Sequence, residues 1–144
     1  MALDPAFVGH TYAPAEPYLV GREKIREFAD AIGADDAAHR DPAAAAALGY
    51  PDVIAPPTFP VVLAMPASLA VCADLGVDIA QVVHGDQRFA YTRPVCAGDR
   101  LVSVTTIENI MARAGNDFLT TRTDISTAAG EPVVGVWSRL VVRS

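Results

Sequence analysis

Few residues of this chain have the means to do chemistry, and most of them stand in apolar surroundings. His84, Asp86, Gln87 and Trp137 are the polar-capable residues of the chain's second half with apolar neighbours. An imidazole titrates near neutral pH and can serve as a base. A lone histidine is nevertheless more often packed or solvated than catalytic, so His84, just ahead of Gly85, is expected at a sheet edge or a subunit seam. Trp137 reads as core rather than as a platform for a ligand. Cys72 and Cys96 have neither metal-type spacing nor a secretory context, which points to reduced thiols. Arg88, Arg93 and Arg100 fall within one short stretch, either as a local site for a phosphorylated carrier or coenzyme or as solvated charges near strand ends. No Gly-rich phosphate loop, metal-ligand cluster or nucleophile elbow is present, so chemistry without a metal or a cofactor is expected.

The elements that must position these residues follow from periodicity. Tyr18-Leu19-Val20 is a short apolar piece among turn-formers and suits a first strand. From Arg22 the period changes: Ile25, Phe28 and Ile32 fall at helical spacing, with Gly33 as a helix stop. Asp41 as N-cap, Pro42 at the first position and an alanine run predict a second helix closed by Gly49. The proline-rich stretch 50–60 is a loop leading into Val61–Leu75, fifteen residues with Asp74 as the one charge. Such a helix has no wet face and must be surrounded by protein on most sides, with Pro66 kinking it. Strands are predicted near 81–92, 100–111, 117–126 and 132–142. In the last, Val134, Val136 and Leu140 would face the core against Ser138 and Arg139 in water. One apolar helix followed by an antiparallel meander gives an α+β architecture, the sheet wrapped around the helix.

At 144 residues the chain fits a single domain, 1–144, and 51% hydrophobic against 19% charged residues excludes a disordered chain. With 17 acidic against 11 basic residues, the net charge of -6 argues against nucleic acid as a partner. No stretch of about eighteen apolar residues and no leader-like opening appear, so no membrane partner and a cytoplasmic location are expected.

Three separated segments carry a family resemblance. They are Arg-Glu-Lys-Ile-Arg-Glu-Phe-Ala at 22–29, Gly-Tyr-Pro-Asp-Val-Ile-Ala-Pro-Pro-Thr-Phe at 49–59, and Gly-Asp-Gln-Arg-Phe-Ala-Tyr-Thr-Arg-Pro at 85–94, extended by Ala-Gly-Asp-Arg-Leu at 97–101. In this order the chain resembles the actinobacterial MaoC-like N-terminal dehydratase family. That family looks like the non-catalytic-type subunits of the mycobacterial (3R)-hydroxyacyl carrier-protein dehydratase and, more distantly, the (R)-specific enoyl-CoA hydratases. The resemblance implies a hot-dog fold, paired so that two sheets join, and an acyl-CoA or acyl carrier protein thioester as ligand.

In the catalytic relatives Gly-Asp-x-Asn-Pro-x-His follows the first helix, and its Asp and His hold one water. Adding that water across an unsaturated thioester needs a base on the water and an acid for the α-carbon, tasks an imidazole and a carboxylate can share. Here the segment reads Gly33-Ala34-Asp35-Asp36-Ala37-Ala38-His39. His39 takes the place of the catalytic histidine, Ala34 that of the aspartate, and Asp35 or Asp36 is the available substitute carboxylate. The bland alternative for His39 is a partly exposed loop histidine ahead of the cap Asp41. The relatives' oxyanion glycine, a backbone donor at the start of the buried helix, falls on Pro57, which has no N–H to give. Thr58 supplies the next amide, while Pro56-Pro57 also reads as a rigid turn that aims the helix. By the resemblance, Pro57, Thr58, Phe59 and Met65 line the acyl groove.

Three functions remain open on the sequence. The chain is a dehydratase-complex subunit that binds the acyl chain while a partner hot-dog chain supplies Asp and His, as a heterodimer. Or it is a self-sufficient enoyl-thioester hydratase using His39. Or it is a homodimeric fatty-acyl-binding protein without chemistry.

Overall fold

Two very short strands open the chain, Thr11–Tyr12 (β1) and Tyr18–Leu19 (β2), and both lie antiparallel on the first long strand. The computed structural model describes residues 2–14 and 16–144. The first helix, α1 (Arg22–Ile32), stops at Gly33, whose φ of +70° lies in the left-handed region that suits glycine at a helix end. Ile25 and Ala29, one turn apart, bury against the core, and Phe28 meets Phe59 edge-on with ring centroids 5.4 Å apart. Ile32 departs from the expected stripe: the chain turns away at Gly33 and leaves that last turn uncovered, so Ile32 is exposed. In α2 (Pro42–Ala47) the Asp41 carboxylate accepts the Ala43 N–H at 2.9 Å, the cap the sequence predicts.

The third helix, α3 (Val61–Asp74), runs through Pro66 and lies on one face of the sheet. Its Leu63 and Ala64 pack with Leu101, Ile125, Val134 and Val136, while Val71 and Cys72 pack with Ile107, Leu119, Leu140 and Val142. Fully burying side chains such as Phe59 and Val71 contributes about 1.5–3 kcal/mol each. The long strands are β3 (Val82–Tyr91), β4 (Arg100–Arg113), β5 (Asn116–Thr127) and β6 (Pro132–Val142). All pairs are antiparallel, in the order β1-β4-β5-β6-β3 with β2 also on β4. An antiparallel sheet carrying one apolar helix is the α+β hot-dog architecture.

Three expectations need correction. First, α3 does have an uncovered flank: Met65 and Leu69 are 50% and 46% exposed, with Pro66, Ala70 and Ala73 also exposed. The reason is topological, because β3 ends the sheet and no strand beyond it among the described residues closes over that flank. Second, Ser138 is buried. Side chains alternate with period two, so Ser138 shares the inner face with Val134, Val136 and Leu140, and only Arg139 points to water. Third, Trp137 is on the outer face, half-buried, with the Arg88 guanidinium 4.3 Å from its ring centroid.

Candidate functional site

The segment after α1 is held by charges that the sequence alone presents as surface residues. Arg26 donates twice to the Arg40 carbonyl, at 3.1 and 2.9 Å. Arg40 in turn donates to the Ala34 carbonyl at 2.6 Å and pairs with Asp30. These contacts fold residues 33–41 back onto the helix. Within that fold Asp36 caps a single 3-10 turn, Ala37–His39, by accepting the Ala38 N–H at 2.9 Å.

His39 is therefore not a loosely held loop residue; it is 8% exposed. Its Nδ1 lies 2.7 Å from the Ile54 carbonyl oxygen. A carbonyl only accepts, so Nδ1 carries the proton, and Nε2 of the neutral ring keeps a lone pair. The backbone repeats the same tie, with Ile54 N–H donating to the Ala38 carbonyl at 3.0 Å. The proline-rich loop is fixed from the other side by Ala55 N–H on Val95 and Ala97 N–H on Val53, each 2.8 to 2.9 Å. A forked contact from Arg22 to Asp52 ties the loop to α1 and holds the Asp52 carboxyl below the usual range.

The result is a pocket of about 350 Å³ bounded by Asp36, His39, Ile54, Ala55, Pro57, Tyr91 and Pro94. The structure thus brings His39, Asp36 and Pro57 together. Asp35 is exposed, is absent from the pocket wall and makes no side-chain hydrogen bond among the described residues. At the start of α3 the group presented is an acceptor rather than a donor: the Tyr91 hydroxyl donates to the Pro57 carbonyl at 2.5 Å. Burial pushes the Tyr91 phenol well above its ordinary range, so it stays a proton donor at every physiological pH. Thr58 is exposed and outside the pocket wall. Phe59, expected along the groove, is fully buried in the core, where its ring anchors the start of α3. Tyr91 is the residue that sequence reasoning missed. Its position two residues after Phe89 on an alternating strand puts it on the inner face, a signal available from period two.

Further along α3 lies a second pocket of about 180 Å³ between the helix and strands β3 and β6. Met65, expected in the groove, is on its wall with Val61, Leu69 and Leu140, and the polar members are Ser68, His84, Gln87 and Ser138. The three clustered arginines do not converge. Arg88 lies over Trp137 on the outer face, Arg93 is committed to Asp99 at 2.9 Å and Glu131 at 2.7 Å, and Arg100 begins β4, separated from β3 by β5 and β6. Among the described residues no three His, Cys, Asp or Glu side chains are grouped to hold a metal, and no helix is long and apolar enough to cross a membrane.

Comparison with known proteins gives these findings. The profile of the FAS1-like, dehydratase domain region family matches residues 6–136. A UPF0336 protein of Saccharopolyspora erythraea is 57% identical over 145 residues, covering 99% of this chain and 93% of that protein. A chain of the C-terminally truncated HadBC (3R-hydroxyacyl-ACP dehydratase) complex from Mycobacterium tuberculosis superposes with a TM-score of 0.87 at 35% identity, covering 98% of this chain and 99% of the other. A solved MaoC-like dehydratase superposes with a TM-score of 0.91 at 37% identity over 96% of this chain, which spans 43% of that longer one.

Proposed function

Because the chain belongs to the MaoC-like hot-dog dehydratases, matching their FAS1-like dehydratase domain region, we propose that it is the acyl-binding subunit of a (3R)-hydroxyacyl thioester dehydratase, completed by a second hot-dog chain. The observation that carries this is the polarity of the pocket at the start of α3. A thioester carbonyl turning enolate-like needs hydrogen-bond donors, and losing one such donor typically costs about a hundredfold or more in rate. This pocket presents the Pro57 carbonyl instead, already occupied by the Tyr91 hydroxyl, and by the family resemblance Ala34 takes the place of the carboxylate. The Asp36 carboxylate is used as a turn cap.

What remains fits binding. The groove beside α3 is mostly apolar, and its open side coincides with the free edge of β3, where Ile79, 55% exposed, lies with Met65 and Leu69 on the cavity wall. An unpaired strand edge next to an apolar helix flank is a surface that a second hot-dog sheet would cover. A MaoC-like chain of which this one spans 43% leaves room for a second unit of like size. The two free, buried cysteines suit a reducing cytoplasm.

A second reading has its own observation. Nδ1–H on Ile54 fixes His39 in the tautomer whose Nε2 can act as a base, and Asp36 borders the same pocket. Under it the chain is a self-sufficient enoyl-thioester hydratase. Purification alone and with the hot-dog chain it co-purifies with, each assayed for hydration of a crotonyl-type thioester, separates the two. Activity only in the pair supports the subunit; robust turnover by the lone chain overturns it.

A further inference from the structure

The second pocket carries a polar belt that a hydrocarbon chain does not need. Ser68 is the one hydroxyl on the buried side of α3, with 6% exposure, and it borders the cavity. Its hydroxyl lies on the cavity wall, and no buried polar side-chain atom among the described residues is left without a partner. Across the cavity Ser138, 5% exposed, accepts from the Gln87 Nε2 at 3.2 Å, which leaves its own proton and the Gln87 carbonyl oxygen uncommitted. His84 adds an imidazole on the same wall of β3. Every other neighbour on this face, such as Met65 and Leu69, is apolar.

A hydroxyl on a cavity wall loses its water when an apolar occupant enters, and a serine on a helix otherwise apolar as far as Asp74 has a ready replacement in Ala. The belt is therefore matched to an oxygen on the occupant. Its distance from the His39 pocket follows from the elements. Val61 to Ser68 rises about 10 Å at 1.5 Å per residue, and Tyr91 to Gln87 spans about 13 Å along the strand. The oxygen is thus several carbons beyond the thioester.

We infer that this subunit selects acyl chains bearing a hydroxyl or keto oxygen in mid-chain, bound by Ser68, Gln87 and Ser138. The inference rests on the acyl-binding function proposed above. A hydroxyl can donate to Gln87 Oε1 and accept from Ser68; a keto oxygen accepts from both serines. A plain chain in the same place would strip water from these groups and return nothing, so the belt discriminates against it.

The test is calorimetric binding to the full chain, in the assembly in which it purifies, of acyl pantetheine thioesters about ten carbons long, the length that reaches the belt. The series comprises the plain chain and chains with one hydroxyl or one keto oxygen moved carbon by carbon. One or two adjacent positions should bind about tenfold tighter than the plain chain. Ser68→Ala should cut that advantage below about threefold and tighten binding of the plain chain, and Gln87→Leu should weaken the oxygenated ligands alone. A flat series, or a plain chain that binds tightest, overturns the inference while acyl binding stands. No binding by any member overturns the acyl-binding function itself.

Discussion

His39 holds two roles in one side chain, and they can be separated. Nδ1 anchors the Ala37–His39 turn to the Ile54 carbonyl at 2.7 Å, and Nε2 is the acceptor that chemistry would use. His39→Ala removes both and leaves a half-buried carbonyl unpaired, which costs up to about 1–3 kcal/mol. At about 2 kcal/mol, and about 2–4 °C per kcal/mol for a chain of this size, the melting midpoint should fall by about 4–8 °C. His39→Asn retains a side-chain N–H where Nδ1 stands and removes Nε2, so its loss should stay within about 1 kcal/mol. Thermal unfolding read by circular dichroism compares the three proteins, and thioester hydration is assayed on each with and without the partner chain. For a subunit whose partner supplies the base, His39→Asn leaves the activity of the pair near wild type. An Asn variant as unstable as the Ala variant refutes the anchoring role, and loss of turnover in an intact, stable His39→Asn pair refutes the subunit function.

Three further outcomes are expected. Burial raises the Tyr91 phenol pKa, so the folded state holds that proton more tightly than the unfolded one, and the associated stability is present below about pH 10 and lost as pH rises past it; urea unfolding at about pH 9 and about pH 11 should show a smaller loss for Tyr91→Phe than for wild type. Leu69→Glu places a charge on the exposed flank of α3, 46% open in the single chain, and light scattering should then show a 15.1 kDa monomer where wild type is larger; an unchanged mass removes that flank from the interface. Ala34→Asp with Pro57→Gly should raise hydration by the lone chain more than either change alone, each contributing up to about a hundredfold, and no gain in the double variant would show that the Tyr91 hydroxyl or the Arg40 guanidinium beside Ala34 blocks the restored groups.

The helices and long strands were legible because their periods are local properties. Ile25 and Phe28 at helical spacing, the Asp41 cap and the alternation of β4 to β6 need no knowledge of the rest of the chain. The site was legible only in outline. The half-present motif pointed to His39 and Pro57 through the family resemblance, yet the Arg26 and Arg40 contacts that fold its segment back, and Tyr91 on a strand more than thirty residues away, arise from tertiary approach. Phe59 shows the opposite error. It adjoins the site in sequence, but its ring turns into the core against Phe28, anchoring the turn that leads into α3.

α3 (Val61–Asp74) has no charge before Asp74, and a lone chain gains nothing from that composition on the Met65, Leu69 and Ala73 side. The composition predicts full burial, whereas in the single chain Met65 and Leu69 stay 50% and 46% exposed. The same holds for β3, whose residues are nearly all exposed although its register with β6 is regular apart from one bulge at His84 to Asp86. A regular strand with an open edge beside an open apolar helix flank is one surface, not two anomalies. The proposed function predicts a second hot-dog unit as its cover, with the polar belt of Ser68, Gln87 and Ser138 just inside it. Under the proposed function the composition of α3 fits an assembly, and the lone hydroxyl on its buried side fits a ligand with an oxygen there.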